Sequence, residues 1–139
     1  MSFTDLTETN LLNFLFRNNP DTYASPSAVY VGLLTAEPDE STSVSEISGT
    51  GYVRKAVTFN APATQGATKQ IVSSADVLFD EAGSNWGTVT YIGIFDATSA
   101  GNFLAYVQLT DSGGSATSKI ISQGDVFKIA SGNLKVSLS

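Results

Sequence analysis

Carboxylates carry most of the chemical potential of this chain. It has thirteen Asp and Glu against seven Lys and Arg, and neither histidine nor cysteine. The commonest general base, the thiol nucleophile and the usual zinc ligands are therefore missing, and no disulfide can form. No GxxxxGK(S/T) or GxGxxG phosphate loop occurs, and Gly113-Gly114 follows a strand pattern without opening a helix, so it reads as a turn. Two carboxylate groupings remain. Asp80-Glu81 lies near Trp86, a pairing reminiscent of glycoside hydrolysis with an aromatic platform for a sugar. Adjacent turn residues rarely face one point, however, and a tryptophan just ahead of a strand reads as a core or rim anchor. Glu37, Asp39, Glu40 and Glu46 fall within residues 36–51 and suggest calcium, but their spacing matches no calcium loop and Pro38 interrupts them. They read as a solvated acidic loop, with an arm reaching a neighbouring protein as the sharper alternative. No residue is assigned to catalysis, a cofactor or a metal, and the chain reads as a non-enzyme. A carbohydrate- or receptor-binding β-domain using Trp86, Tyr91 and Tyr106 stays open.

The composition narrows the class. At 139 residues the chain fits one domain, residues 1–139. Its charged fraction of 14% is well below the usual quarter or so, with serine, threonine, glycine and alanine in place of the charges. That mixture suits β-strands joined by polar turns and surfaces that meet other proteins without desolvating many ions. The formal net charge is −6 and the basic residues are spread along the chain, so no stripe for nucleic acid is visible. No run approaches the roughly 20 apolar residues of a membrane span, and Met-Ser-Phe-Thr-Asp lacks the features of a secretion signal. Synthesis in a cytoplasm is expected.

The elements follow from local pattern. Residues 4–17 predict the only helix, with Thr4 or Asp5 as cap, Asp5 and Glu8 in the first turn and Arg17 in the last. Leu11, Leu12, Leu15 and Phe16 form i, i+4 pairs, and the stripe must be covered, either by the chain's own β-domain or by a neighbouring subunit. The helix stops at Asn18-Asn19-Pro20, and residues 20–27 form a turn-rich connector. Strands are predicted over 28–35, 52–59, 68–72, 75–79, 88–95, 103–109, 119–122, 126–130 and 134–138, with 68–72 and 75–79 readable as one interrupted strand. The runs 88–95 and 103–109 form a long hairpin around Gly101-Asn102, apolar on both faces of the first run: Val89, Tyr91 and Phe95 on one side, Ile92 and Ile94 on the other. About eight strands at short spacing make a mainly β fold, a single β-sandwich or jelly-roll-like barrel over 28–138 preceded by one α-helix.

The order of segments is also familiar. VYVGLLTAEPDEST, EISGTGYVRKAVTF, SSADVLF, WGTVTYIGIFDATSAGNFLAYVQLT and ISQGDVFKIASGNLKVSL together resemble a family of small virion proteins from tailed bacteriophages, variously called tail fibre, head fibre or capsid decoration (cement) proteins. The resemblance covers roughly residues 10–138; the connection Asp111 to Ser118 departs from it by its length. It implies a structural role in the virion, assembled in the host cytoplasm, without catalysis or cofactor. The absence of heptads or repeats favours a capsid decoration protein bound to the major capsid protein and to copies of itself, as a homotrimer. A fibre adhesion module binding a host receptor glycan is the alternative. Leu11, Leu12, Leu15 and Phe16 of the helix and Glu37, Asp39, Glu40 and Glu46 of the loop are the candidate partner contacts. Neither nucleic acid nor membrane is expected as a partner.

Overall fold

A computed structural model describes residues 1–19, 24–41 and 44–138. The start of the predicted connector, residues 20–23, and positions 42–43 of the acidic loop lie outside the described residues. In chain order come β1 (Ser2–Phe3), α1 (Asp5–Phe16), β2 (Val29–Leu34), β3 (Lys55–Val57), β4 (Ala63–Gln65), β5 (Thr68–Val72) and β6 (Val77–Leu78). They are followed by β7 (Gly87–Val89), β8 (Tyr91–Phe95), β9 (Phe103–Gln108), β10 (Lys119–Ile121), β11 (Lys128–Ile129) and β12 (Lys135–Leu138). The protein is mainly β with one helix among the described residues, as its turn spacing implies. Several predicted strands are shorter than their apolar runs, and small extra ones bring the number to twelve among the described residues.

Five strands form the principal antiparallel sheet, in the order β1-β9-β8-β2-β3. The predicted hairpin supplies its centre, with Tyr91 opposite Gln108 and Ile94 opposite Ala105. On its other side β8 pairs with β2, which sets Gly93 directly across from Gly32. One face of this sheet turns Val31, Leu33, Ile92 and Ile94 into the core, all 5% exposed or less. Three smaller antiparallel sheets, β10-β7, β11-β6 and β12-β5-β4, carry the opposing residues in a sandwich-like arrangement. From that side come Val77, Phe79, Val89, Ile121, Phe127 and Leu134. Phe79 meets Phe127 edge-on with centroids 5.8 Å apart, a geometry favoured by the ring quadrupoles.

The run 88–95 is not one strand. The chain leaves β7 and enters β8 at Thr90, whose N–H donates to the Leu34 carbonyl at 2.9 Å. Val89 therefore belongs to the smaller sheet and sits in the core at 0% exposure, not on the face of Tyr91 and Phe95. A continuous β-branched run gives no sign of such a bend, because both strands share its composition. The 52–59 run likewise shortens to β3, with Phe59 continuing as an isolated bridge to Ser73. The departure at 111–118 is a closed turn: the amides of Gly113 and Ser115 donate to Asp111 Oδ1 at 2.9 and 3.0 Å.

The second face of the principal sheet is aromatic. Phe95 stacks on Phe103 with centroids 5.0 Å apart, Phe103 on Tyr106 at 6.0 Å, and Tyr91 lies 6.2 Å from Tyr106. The paired glycines make room for it: a Cβ on Gly32 would stand 2.7 Å from Phe95 Cε2 and 2.9 Å from Glu46 Oε1, and one on Gly93 would stand 2.8 Å from Phe95 Cε2. Gly32→Ala is accordingly expected to destabilise the protein by about 1–3 kcal/mol, as overpacking does. Urea denaturation will show a lower midpoint; an unchanged midpoint would mean the ring and carboxylate are free to shift.

Candidate interaction surface

The helix is turned opposite to the usual amphipathic rule. Thr4 occupies the N-cap position but makes no side-chain cap bond. Its Oγ1 donates instead to the Phe103 carbonyl at 2.7 Å, and Thr7 Oγ1 donates to the Leu104 carbonyl at 2.7 Å. The residues spaced three apart along this side, Thr4, Thr7, Asn10 and Asn13, are polar, and Thr4 and Asn13 are buried. Thr4 and Thr7 thus fasten the start of α1 to the end of β9. Leu12, Leu15 and Phe16 point away from the chain at 56%, 56% and 77% exposure, with Leu11 at 36% on the flank. Of the two covers expected for this stripe, the chain's own β-domain is not the one provided among the described residues. Asp5 and Glu8 share the outward face with Leu12, Leu15 and Phe16 through their three- and four-residue spacing.

The acidic segment is solvated at Glu37, Asp39 and Glu40, as its composition suggests, but its later part is held against the sheet. Ser45 accepts from the Thr35 amide at 2.8 Å, and the Ile47 amide donates to the Leu33 carbonyl at 2.9 Å. These bonds lay residues 45–47 along the end of β2 and place Ile47 in the core at 4% exposure. Glu46 then faces the aromatic side of the sheet. Arg54 grips it in bidentate fashion, Nε to Oε1 at 2.9 Å and Nη2 to Oε2 at 2.7 Å. The guanidinium also lies 3.5 Å from the centroid of the Phe95 ring and donates through Nη1 to the carbonyls of Ala97 and Ala100. Tyr52 closes the group, its hydroxyl donating to Glu46 Oε1 at 2.6 Å and accepting the Leu33 amide at 3.0 Å.

The other carboxylates of the segment also have internal partners. Tyr106 donates to Glu40 Oε1 at 3.0 Å. Desolvation raises the Tyr91 pKa first, and the charge and hydrogen bond of Glu37 raise it further. Desolvation likewise leads at Tyr106, with Glu40 adding to it. Asp39 accepts from the Ser41 hydroxyl and amide at 2.7 and 2.8 Å, which lowers its pKa. Glu37, Glu40 and Glu46 are thus spread along the aromatic face, and the structure does not join them to the helix stripe. Among the described residues no group of three or more carboxylates is placed to hold a metal ion. No described helix is long and apolar enough to cross a membrane.

The sugar-platform candidates do not assemble either. Trp86 is 4% exposed, and its indole N–H donates to the Thr50 carbonyl at 3.0 Å, as suits a core anchor. Asp80 is drawn to Lys55 at 2.7 Å. Tyr106 is buried within the aromatic row.

One feature escaped the linear reading. A cleft of about 600 Å³ opens between the end of β9 and the strands β11 and β12, floored by Ile92, Val107, Phe127 and Leu134. Lys119, Lys128 and Lys135 line it, three of the seven basic residues of the chain, with no carboxylate among the lining residues. Lys128 has only a loose contact with Asp76 at 3.8 Å, a pairing worth little at the surface. Each of these lysines opens one of the last three strands, which is the one sign of them in the sequence.

The half-buried Tyr52 makes stability sensitive to alkali. Desolvation chiefly, then its bond to Glu46, raises its pKa far above the ordinary 10.0. A folded pKa raised above the unfolded one leaves stability intact below about pH 10 and removes it progressively as pH rises further. The melting temperature is expected to fall above pH 10 and to fall less steeply in Tyr52→Phe; parallel pH profiles would contradict this.

No curated protein matches the chain. The family model of podophage GP4 fiber I protein gp80 does match, over residues 2–137. Nearly the whole of the 139-residue chain is covered, including the helix, the aromatic face and all three lysine-bearing strands. The chain therefore belongs to the podophage GP4 fiber I protein gp80 family and is a structural virion protein of a tailed bacteriophage.

Proposed function

We propose that this chain is a non-catalytic assembly module of a phage fibre, held in the particle by protein that covers the outward face of α1. The observation that carries this reading is the inverted helix. Thr4 and Thr7 hold the sheet while Leu12, Leu15 and Phe16 are left outside. Each such side chain is worth about 1.5–3 kcal/mol when buried, an amount a free monomer forgoes and an assembled particle recovers. The family description favours a fibre as the location. A second reading, a capsid decoration protein bridging subunits of the major capsid protein, is favoured by the lack of heptads or repeats that a long shaft would need. Immunogold labelling separates the two by showing the chain at the fibre or over the shell. A receptor-binding role is weaker, since Trp86 and Tyr106 are turned inward.

Leu12→Asp with Phe16→Asp is expected to leave the circular dichroism spectrum and melting temperature near those of the wild type, because neither side chain supports the fold. The same variant is expected to be lost from particles, with affinity lowered at least about a hundredfold by the loss of two buried side chains. A folded variant incorporated at wild-type copy number would overturn the proposal.

A further inference from the structure

Two unfilled surfaces of this chain complement each other. The outward face of α1 carries Leu12, Leu15 and Phe16, with Asp5 and Glu8 toward its N-terminus. The cleft beside β9 has an apolar floor and exposed lysines at positions 119, 128 and 135. Among the described residues no carboxylate lies within ion-pair distance of Lys119 or Lys135. Apolar side chains meet an apolar floor, and two carboxylates meet a basic rim. In a chain of net charge −6 this is where three lysines converge, so a copy of the same acidic chain is the partner it suits.

The helix cannot fill the cleft of its own chain. Thr4 and Thr7 tether it to the carbonyls of Phe103 and Leu104, whereas the cleft opens at Val107 to Thr110. At about 3.3 Å per residue, that mouth lies on the order of 10–20 Å further along the chain. We infer that the outward face of α1 in one copy docks in the lysine-rimmed cleft of the next. This rests on the reading that α1 is covered in the particle, and it names what covers it. The contact is head-to-tail, with different surfaces on the two sides, so it closes into a ring if the rotation allows and otherwise continues as a filament. A ring of three accommodates the homotrimer expected from the sequence.

Mixing two complementary variants tests the inference. One is Leu12→Asp with Phe16→Asp, which spoils the helix face and keeps the cleft. The other is Lys119→Glu with Lys135→Glu, which spoils the rim and keeps the helix. Should the first misfold by circular dichroism, Leu12→Ser with Phe16→Ser replaces it. In sedimentation velocity the wild type is expected to associate, more weakly as salt is raised, and each variant alone to be monomeric. The mixture is expected to give mixed dimers and nothing larger, because one working helix meets one working cleft. A monomeric wild type, a variant that still associates, or a mixture that stays monomeric would overturn the contact. If the helix variant is lost from particles while the free wild type is monomeric, the cover is another virion protein, and the assembly role stands without the head-to-tail contact.

Discussion

The placement of Arg54 is the constraint on which the outer half of the fold depends. Its side chain is 9% exposed, and the guanidinium meets a carboxylate, an aromatic face and two carbonyls together. Each contact comes from a different part of the chain: Glu46 from the acidic segment, Phe95 from β8, Ala97 and Ala100 from the turn beyond it. A buried arginine without its carboxylate would cost about 3–5 kcal/mol, so the pair ties the segment around Glu46 to the sheet. The glycines at 32 and 93 are a consequence, since only a residue without Cβ leaves room for the Phe95 ring and the Glu46 carboxylate above the sheet.

Covering the second face from within has an effect on the helix. In most mixed folds an amphipathic helix would close that face with its apolar stripe. Here loop, carboxylates and aromatic rings already occupy it, and the helix is fastened at the end of β9, where it meets carbonyl groups. Carbonyls at a strand end call for donors, and Thr4 and Thr7 supply them. The apolar side chains are thereby left outward. The outward apolar face of α1 is thus a by-product of how the core is closed.

Much of the scaffold was legible from local pattern. The helix, predicted over 4–17, runs from Asp5 to Phe16, and the predicted hairpin is the centre of the principal sheet. Trp86 is the core anchor its position suggests. What was not legible is whatever depends on distant pairing. A stripe of leucines shows that a helix has an apolar side and does not show which side meets the protein. The grip of Arg54 on Glu46 joins residues of an irregular segment with no periodicity to betray it. The bend at Thr90 hides within a uniform β-branched run. The lysines at 119, 128 and 135 read as scattered because only the pairing of β10, β11 and β12 with separate strands brings them to one cleft.

An electron cryomicroscopy reconstruction of the particle, at a resolution that shows side chains, reveals directly what covers α1. Leu12, Leu15 and Phe16 are expected to be covered by protein, with α1 still fastened to β9 through Thr4 and Thr7. A reconstruction in which that face of α1 borders solvent, or in which the helix has rotated to bury its leucines on its own sheet, would contradict it.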